Sequence, residues 1–193
     1  MSFLERLDAL DREAFLAING AHAPWADGLM QAVSSMVLWF PLYVFFLYLL
    51  QRRFGWKSLG WSALLLAVMI LLSDKGSVLL FKETVQRLRP CHEPTLAGLV
   101  HLVPQGCGGR FGFVSSHASN HFAIALFMIG ALRGSPRWAA LALIAWAALI
   151  CYSRVYLGVH YPGDVITGAL YGALIGSIFA LAHRKLMTRT VIE

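Results

Sequence analysis

The chain has 193 residues, 58% of them apolar and only 13% charged, with a formal net charge of +6. A water-soluble domain carries about a quarter charged residues, so this composition excludes an ordinary soluble fold. The positive charge is split into short clusters between apolar runs, which argues against a nucleic-acid partner and for membrane topology.

The chain reads as one domain over residues 1–193. It opens with MSFLERLDALDREAF, where charged and apolar residues alternate. A signal peptide needs a basic start and an unbroken apolar stretch, and neither is present. Leu4, Leu7, Phe15 and Ile18 fall near helical spacing, with Asp8, Asp11, Arg12 and Glu13 between them. The spacing predicts an amphipathic helix over 3–18, lying in the membrane interface within a segment 1–26.

A spanning helix needs about 20 mostly apolar residues. The runs 28–50, 58–81, 114–132, 138–153 and 163–182 meet or approach this, with Asp74 and Lys75 inside the second and Asp164 at the start of the fifth. Lipid offers no partner to open backbone groups, so these runs must be helical. The fold class is therefore all-α, a polytopic membrane bundle of about five spans plus the amphipathic helix. Arg52, Arg53 and Lys57 follow the first run, Arg133 and Arg137 the third, and Arg184, Lys185 and Arg189 the fifth. Alternating spans put all three clusters on one side, which is expected to be cytoplasmic along with the C-terminus. The opposite side of this cell membrane protein receives the N-terminal segment and the loops 82–113 and 154–162. Cys91 and Cys107 share the outer loop and are predicted to pair, whereas Cys151 sits in a span as a small apolar group.

Polar residues concentrate at the outer ends of the runs. Lys82, Arg87 and Arg89 follow the second, Ser115, Ser116 and His117 open the third, and Ser153, Arg154, His160 and Asp164 lie between the fourth and fifth. Outer boundaries are usually poor in Lys and Arg, so this grouping points to an anion pocket, with arginine forks matched to phosphate oxygens. Ser115 is placed to cap the third helix, whose free amides favour anions. His160 and Asp164 are four apart across a Pro162-Gly163 turn, which suits a carboxylate orienting an imidazole. An imidazole so held can attack phosphorus through its other nitrogen, with His117 giving and taking the proton. His117 and His121 also have the spacing of a helical metal pair, but HASNH lacks the acidic residue of H-E-x-x-H, and His121 reads as a supporting or packing residue. His22, His92 and His101 read as loop residues and His183 as part of the cytoplasmic tail. An ionisable pair inside a span is functional by default. Lys75 is seven residues before Lys82, so Asp74 and Lys75 either brace the site from the same helix face or serve packing.

The segments KETVQRLRP (82–90), VSSH (114–117) and SRVYLGVHYPGD (153–164) together resemble the three-part signature of the type 2 phosphatidic acid phosphatase superfamily of membrane lipid phosphatases. The resemblance implies that Lys82, Arg89 and Arg154 hold phosphate with help from Ser115 and the amide of Ser116. It implies His117 as general acid, His160 as nucleophile, Asp164 as its partner, and no metal or other cofactor. Arg87, Asp74, Lys75 and His121 remain possible accessory residues. The family's middle motif commonly reads Pro-Ser-Gly-His, and Val114 and Ser116 depart from it. Serine at 116 costs little if that residue lies in the first helical turn, which is expected.

The expected substrate is a lipid phosphate or diphosphate with its headgroup in the outer leaflet. By family analogy undecaprenyl pyrophosphate leads, with lipid A, phosphatidylglycerophosphate and phosphatidic acid as alternatives. A vanadate-type haloperoxidase has a similar pocket but is soluble. An anion transporter using the same basic pocket would show broken helices and repeated halves, which are not seen here. No obligate protein partner is evident.

Overall fold

The structure is a computed structural model that describes residues 2–103 and 106–190, without the side chains of Arg189 and Thr190. The expected basic side chain of Arg189, and Pro104 and Gln105 of the outer loop, lie outside the described part. The described residues form six main helices: α1 Phe3–Gly20, α2 Pro24–Ser34, α3 Met36–Gly76, α4 Ser116–Ala131, α5 Arg137–Tyr156 and α6 Pro162–Thr190. The fold is an all-α membrane bundle.

Among the described residues, three helical segments are long and apolar enough to cross a membrane: Met36–Val85, Arg137–Tyr156 and Pro162–Thr188. The first contains the run 58–81 and the larger part of the run 28–50. Its backbone leaves the helical region at Gly55, with φ 80° and ψ 173°, a left-handed value that glycine adopts without steric penalty. Tyr43 before this break and Ser73 after it both bond to α4, while Phe54 and Ser62, on either side of the break, both meet His183. The two limbs of α3 therefore run antiparallel. The expected run 28–50 is also divided. Ser35 takes extended angles, ends α2, and caps α3 by accepting from the Val37 amide. The third run became α4, only 16 residues long and flanked by α3, α5 and α6.

Close packing of α4 on α6 comes from glycines at four-residue intervals. A Cβ at Gly168, Gly172 or Gly176 would lie 2.6, 2.0 or 2.3 Å from the carbonyl oxygens of Ser115, Ser119 and Ala123 respectively. Small residues at this spacing let two membrane helices meet backbone to backbone. Outside the bundle, Val37, Phe40, Leu64, Leu71, Leu170 and Leu174 are exposed, as expected of surfaces solvated by lipid.

Arg53 donates to the carbonyl of Arg133, and His183 touches Phe54, so the three basic clusters share one end of the bundle. His183 was expected in the tail, but it is fully buried, with Nε2 2.8 Å from the Ser62 hydroxyl and its ring edge-on to Phe54 and Phe127. The reason is that α6 continues well past residue 182 and stays packed.

At the other end lies α1, opened by a capping box between Ser2 and Glu5. Its Phe15 is buried edge-on against Tyr161, while Leu4 and Leu7 stay exposed.

Candidate active site

The loop between α3 and α4 is held in shape by its own backbone. Leu88 bridges to Phe111, Arg89 donates its amide to the Arg110 carbonyl at 3.1 Å, and Gly112 donates to the Arg87 carbonyl at 2.9 Å. Cys91 and Cys107 are joined in a disulfide, with Cα atoms 6.0 Å apart. This fold-back places carbonyls around one guanidinium. Arg89 donates to Cys107 O at 3.0 Å and to Phe111 O at 3.3 Å, which fixes its plane. Burial lowers its pKa below the ordinary guanidinium value, against the pull of Asp164, and arginine stays charged regardless.

Lys82 arrives by a different device. After Gly76 the helix widens into a π-turn over Ser77–Lys82. Such turns change the angular register of the residues beyond them and recur at functional sites. In consequence Asp74, Val78 and Lys82 line one cavity, whereas Lys75 is exposed on another face. The expected pairing of Lys75 with Lys82 on one face is therefore not what the helix does, because the inference assumed an unbroken α-helical period.

Ser115 is the N-cap of α4, as expected, and its hydroxyl accepts from the Ala118 amide at 3.5 Å. It is fully buried and its own amide donates to the Asp164 carbonyl, so it stands behind the cavity wall. Ser116 does line the cavity. Its hydroxyl receives Lys82 Nζ at 2.8 Å and lies 2.6 Å from the Ser77 hydroxyl. Ser116 is the first residue of α4 and is not among the positive-φ residues, so no glycine is required there. One residue further on, His117 faces the same cavity.

His160 follows the α5 turn, in which Gly158 has φ 75° and abuts the His101 carbonyl. His160 is 1% exposed, with Nδ1 3.4 Å from Asp164 Oδ2. Asp164 sits in the first turn of α6, fully buried, and its two oxygens are both engaged. Oδ2 also accepts from the Tyr161 amide at 3.0 Å, and Oδ1 accepts from Arg87 at 3.1 Å. Burial, then the charges of Arg89, Arg154 and Lys82, push His160 well below the ordinary histidine range, with a Gly112 backbone hydrogen bond opposing. The ring is thus neutral at ordinary pH and keeps a free lone pair.

Arg87 does not line the cavity that holds Lys82, Arg89 and Arg154. Its guanidinium lies behind Asp164, 4.0 Å over the Tyr161 ring, and reaches Asp11 at 2.7 Å and Asp8 at 2.8 Å on α1. Burial disfavours its charge, but Asp164, Asp11 and Asp8 outweigh that and hold its pKa above the ordinary value. Asp11 also accepts from the Gly163 amide at 2.7 Å, tying α1 to the start of α6. Asp8 and Asp11 were read only as the polar side of an amphipathic helix. Nothing in their spacing marks a tertiary partner 76 to 79 residues away.

The cavity has a volume of about 760 Å³. One end gathers Lys82, Arg89, Ser116, His117, Arg154 and His160; the rest is mostly apolar and runs between the two limbs of α3 and one face of α4. Arg154 donates to the Ser34 hydroxyl, and its Nε is buried without a partner. His121 supports the wall. Its Nδ1 donates to the His117 carbonyl at 2.7 Å, so Nε2, 3.0 Å from the Tyr43 hydroxyl, is the acceptor. This leaves neither His121 nitrogen free for a metal. A pocket with three cations, a neutral histidine backed by a carboxylate, and a second histidine can bind a phosphoryl group and transfer it.

A family model described as the PAP2 superfamily matches residues 62–188. The chain is 37% identical to a lipid A 4'-phosphatase of Bacteroides thetaiotaomicron over 187 residues, covering 96% of this chain and 82% of that protein. A lipid A 4'-phosphatase of Porphyromonas gingivalis is 30% identical, covering 90% and 72% respectively. Among solved structures, Aquifex aeolicus LpxE superposes with a TM-score of 0.66 at 29% identity, covering 90% of this chain and 95% of that one.

Proposed function

The chain belongs to the PAP2 superfamily and is a membrane lipid phosphatase, and from that premise we propose that it removes a phosphate monoester from a lipid A-type glycolipid at the outer face of the membrane. The observation that carries the substrate is that similarity to both lipid A 4'-phosphatases runs over nearly the whole chain. This favours lipid A over undecaprenyl pyrophosphate, which the sequence put first on family analogy alone.

The geometry of the cavity supports the following roles. Lys82, Arg89, Arg154 and Ser116 bind the phosphate oxygens. His160, with Nδ1 turned to Asp164, attacks phosphorus through Nε2. The P–N bond forms as the ester P–O bond breaks, and His117 delivers a proton to the departing sugar oxygen. The dianionic substrate supplies the counter-charge that lets His117 carry that proton among three cations. Neutralised, His117 then takes a proton from water, whose oxygen attacks phosphorus and releases phosphate and free His160. Arg87 and Asp164 keep the imidazole in register. Ser115 contributes by capping α4 from behind. The site lies at the end of the bundle away from the basic clusters, and the positive-inside rule turns that end outward.

The test is phosphate release by the detergent-purified protein from lipid A, undecaprenyl pyrophosphate, phosphatidylglycerophosphate and phosphatidic acid, beside His160→Ala. Lipid A should lead the panel, and His160→Ala should lose on the order of 10³-fold or more in kcat. A folded wild type inactive on every member would refute the enzymatic reading. A stronger rate on undecaprenyl pyrophosphate would restore the other substrate.

A further inference from the structure

Below the phosphate end, besides the paired Tyr43 and His121, the cavity wall carries two polar side chains that the chemistry above does not use. Asp74 and Asn120 face into it from α3 and α4. Asn120 is three residues beyond His117, about 5 Å deeper along the helix. The carboxylate of Asp74 accepts one long hydrogen bond, 3.4 Å, from Asn120 Nδ2. No ion pair reaches it among the described residues. Asn120 Oδ1 is buried with no partner. Around them the wall is apolar, with Phe46, Leu66 and Ile70 as neighbours on the cavity surface.

A carboxylate at this depth is costly unless donors satisfy it. Asn120 holds the carboxylate through one of its two N–H groups, and the remaining acceptor positions of Asp74, which lines the cavity, have no donor among the described residues. Resting on the phosphatase reading, we propose that Asp74 and Asn120 form a subsite for a neutral hydrogen-bond donor on the lipid, an amide N–H or a free hydroxyl close to the phosphate. An ammonium group is disfavoured there because Lys82, Arg89 and Arg154 share the cavity. Phosphatidic acid and prenyl phosphates offer no such donor; N-acylated or hydroxyl-bearing lipids do. The subsite therefore selects for amide-linked or hydroxylated lipid phosphates and makes Asp74 a specificity-determining residue. It also gives a reason for the π-turn, which brings Asp74 and Lys82 to one wall.

The experiment compares kcat/KM of wild type, Asp74→Leu and Asn120→Leu on lipid A, ceramide 1-phosphate and phosphatidic acid of matched chain length in the same mixed micelles. The last two differ chiefly in the donors near the phosphate. Asp74→Leu should lower the ratio of ceramide 1-phosphate to phosphatidic acid turnover by about 10- to 100-fold, the worth of a hydrogen bond to a charged group. A ratio within about threefold of wild type overturns the subsite, whatever happens to the absolute rates. If wild type hydrolyses no lipid phosphate, the phosphatase reading fails instead. The subsite is then decided by equilibrium binding of ceramide 1-phosphate and phosphatidic acid to His160→Ala, with and without Asp74→Leu. A preference for ceramide 1-phosphate that disappears with Asp74→Leu upholds it, and a preference unchanged or absent overturns it.

Discussion

Replacing Arg87 with glutamine removes a cation that never faces the substrate. In the structure this guanidinium makes three bonds to carboxylates, at 3.1 Å to Asp164, 2.7 Å to Asp11 and 2.8 Å to Asp8. The Asp8 bond is to a carboxylate 43% exposed and counts for less than about 1 kcal/mol. The Asp164 bond ends on a fully buried oxygen, and hydrogen bonds to charged groups contribute about 1.5–3 kcal/mol. Asp164 would retain the Tyr161 amide and His160, so its orientation loosens without being lost. If that bond is worth as much in the transition state, kcat falls about 10- to 100-fold. KM should stay within about threefold, because Arg87 is absent from the cavity wall. Arg87→Lys should recover part of kcat, since a lysine restores the charge but not the fork. The assay is steady-state phosphate release, with thermal unfolding to confirm a folded sample. A glutamine variant with wild-type kcat, or one whose loss lies in KM, would refute the positioning role.

Removing a cation beside His160 should move the acidic limb of the pH–rate profile. Arg89 is one of the charges that hold the imidazole unprotonated, so Arg89→Gln should raise its pKa and shift that limb to higher pH; an unmoved limb contradicts the assignment. Gly172→Ala should cost about 1–3 kcal/mol, because its Cβ would fall 2.0 Å from Ser119 O, while Gly60→Ala, with open space around it, should leave the melting temperature near wild type. Cys91→Ser with Cys107→Ser should raise KM more than it lowers kcat, since the Cys107 carbonyl holds Arg89; equal KM values for the two proteins would count against it.

The apolar runs were legible because lipid imposes a length and a composition on whatever crosses it. Their joints were less so. Gly55 looks like any glycine in a basic loop, yet the chain stays helical on both sides of it, and Ser35 divides an apolar run that hydropathy alone would join. The polar residues that line the cavity could be singled out because three spaced segments carry most of them and their types suit one chemistry. Arg87 could be noticed but not placed, since its partners on α1 and α6 are remote in sequence. The same holds for Asn120, which reads as an ordinary polar residue in HASNH. Lys75, left open between bracing the site and packing, was projected onto the face of Lys82 by a period that the π-turn breaks. His183 was misassigned because basic neighbours suggested a tail. The glycines at 168, 172 and 176 were visible as a four-residue interval and would have foretold the α4–α6 contact.

That contact separates the reaction from its surroundings. Where α6 meets α4, main chain rests on main chain, and no rotamer stands between them. His117 rides on one helix, and the turn bearing His160 feeds the other. The spacing of the two backbones is thus set by covalent geometry and van der Waals radii, the stiffest quantities a protein has. On the far side of α6, Leu170, Leu174 and Ile178 lie open to the acyl chains. Pressure from the bilayer on that outer surface meets a seam of glycines that has no side chain to rearrange on the α6 side. The chain can sit in a fluid whose composition varies while the spacing of these two backbones stays fixed.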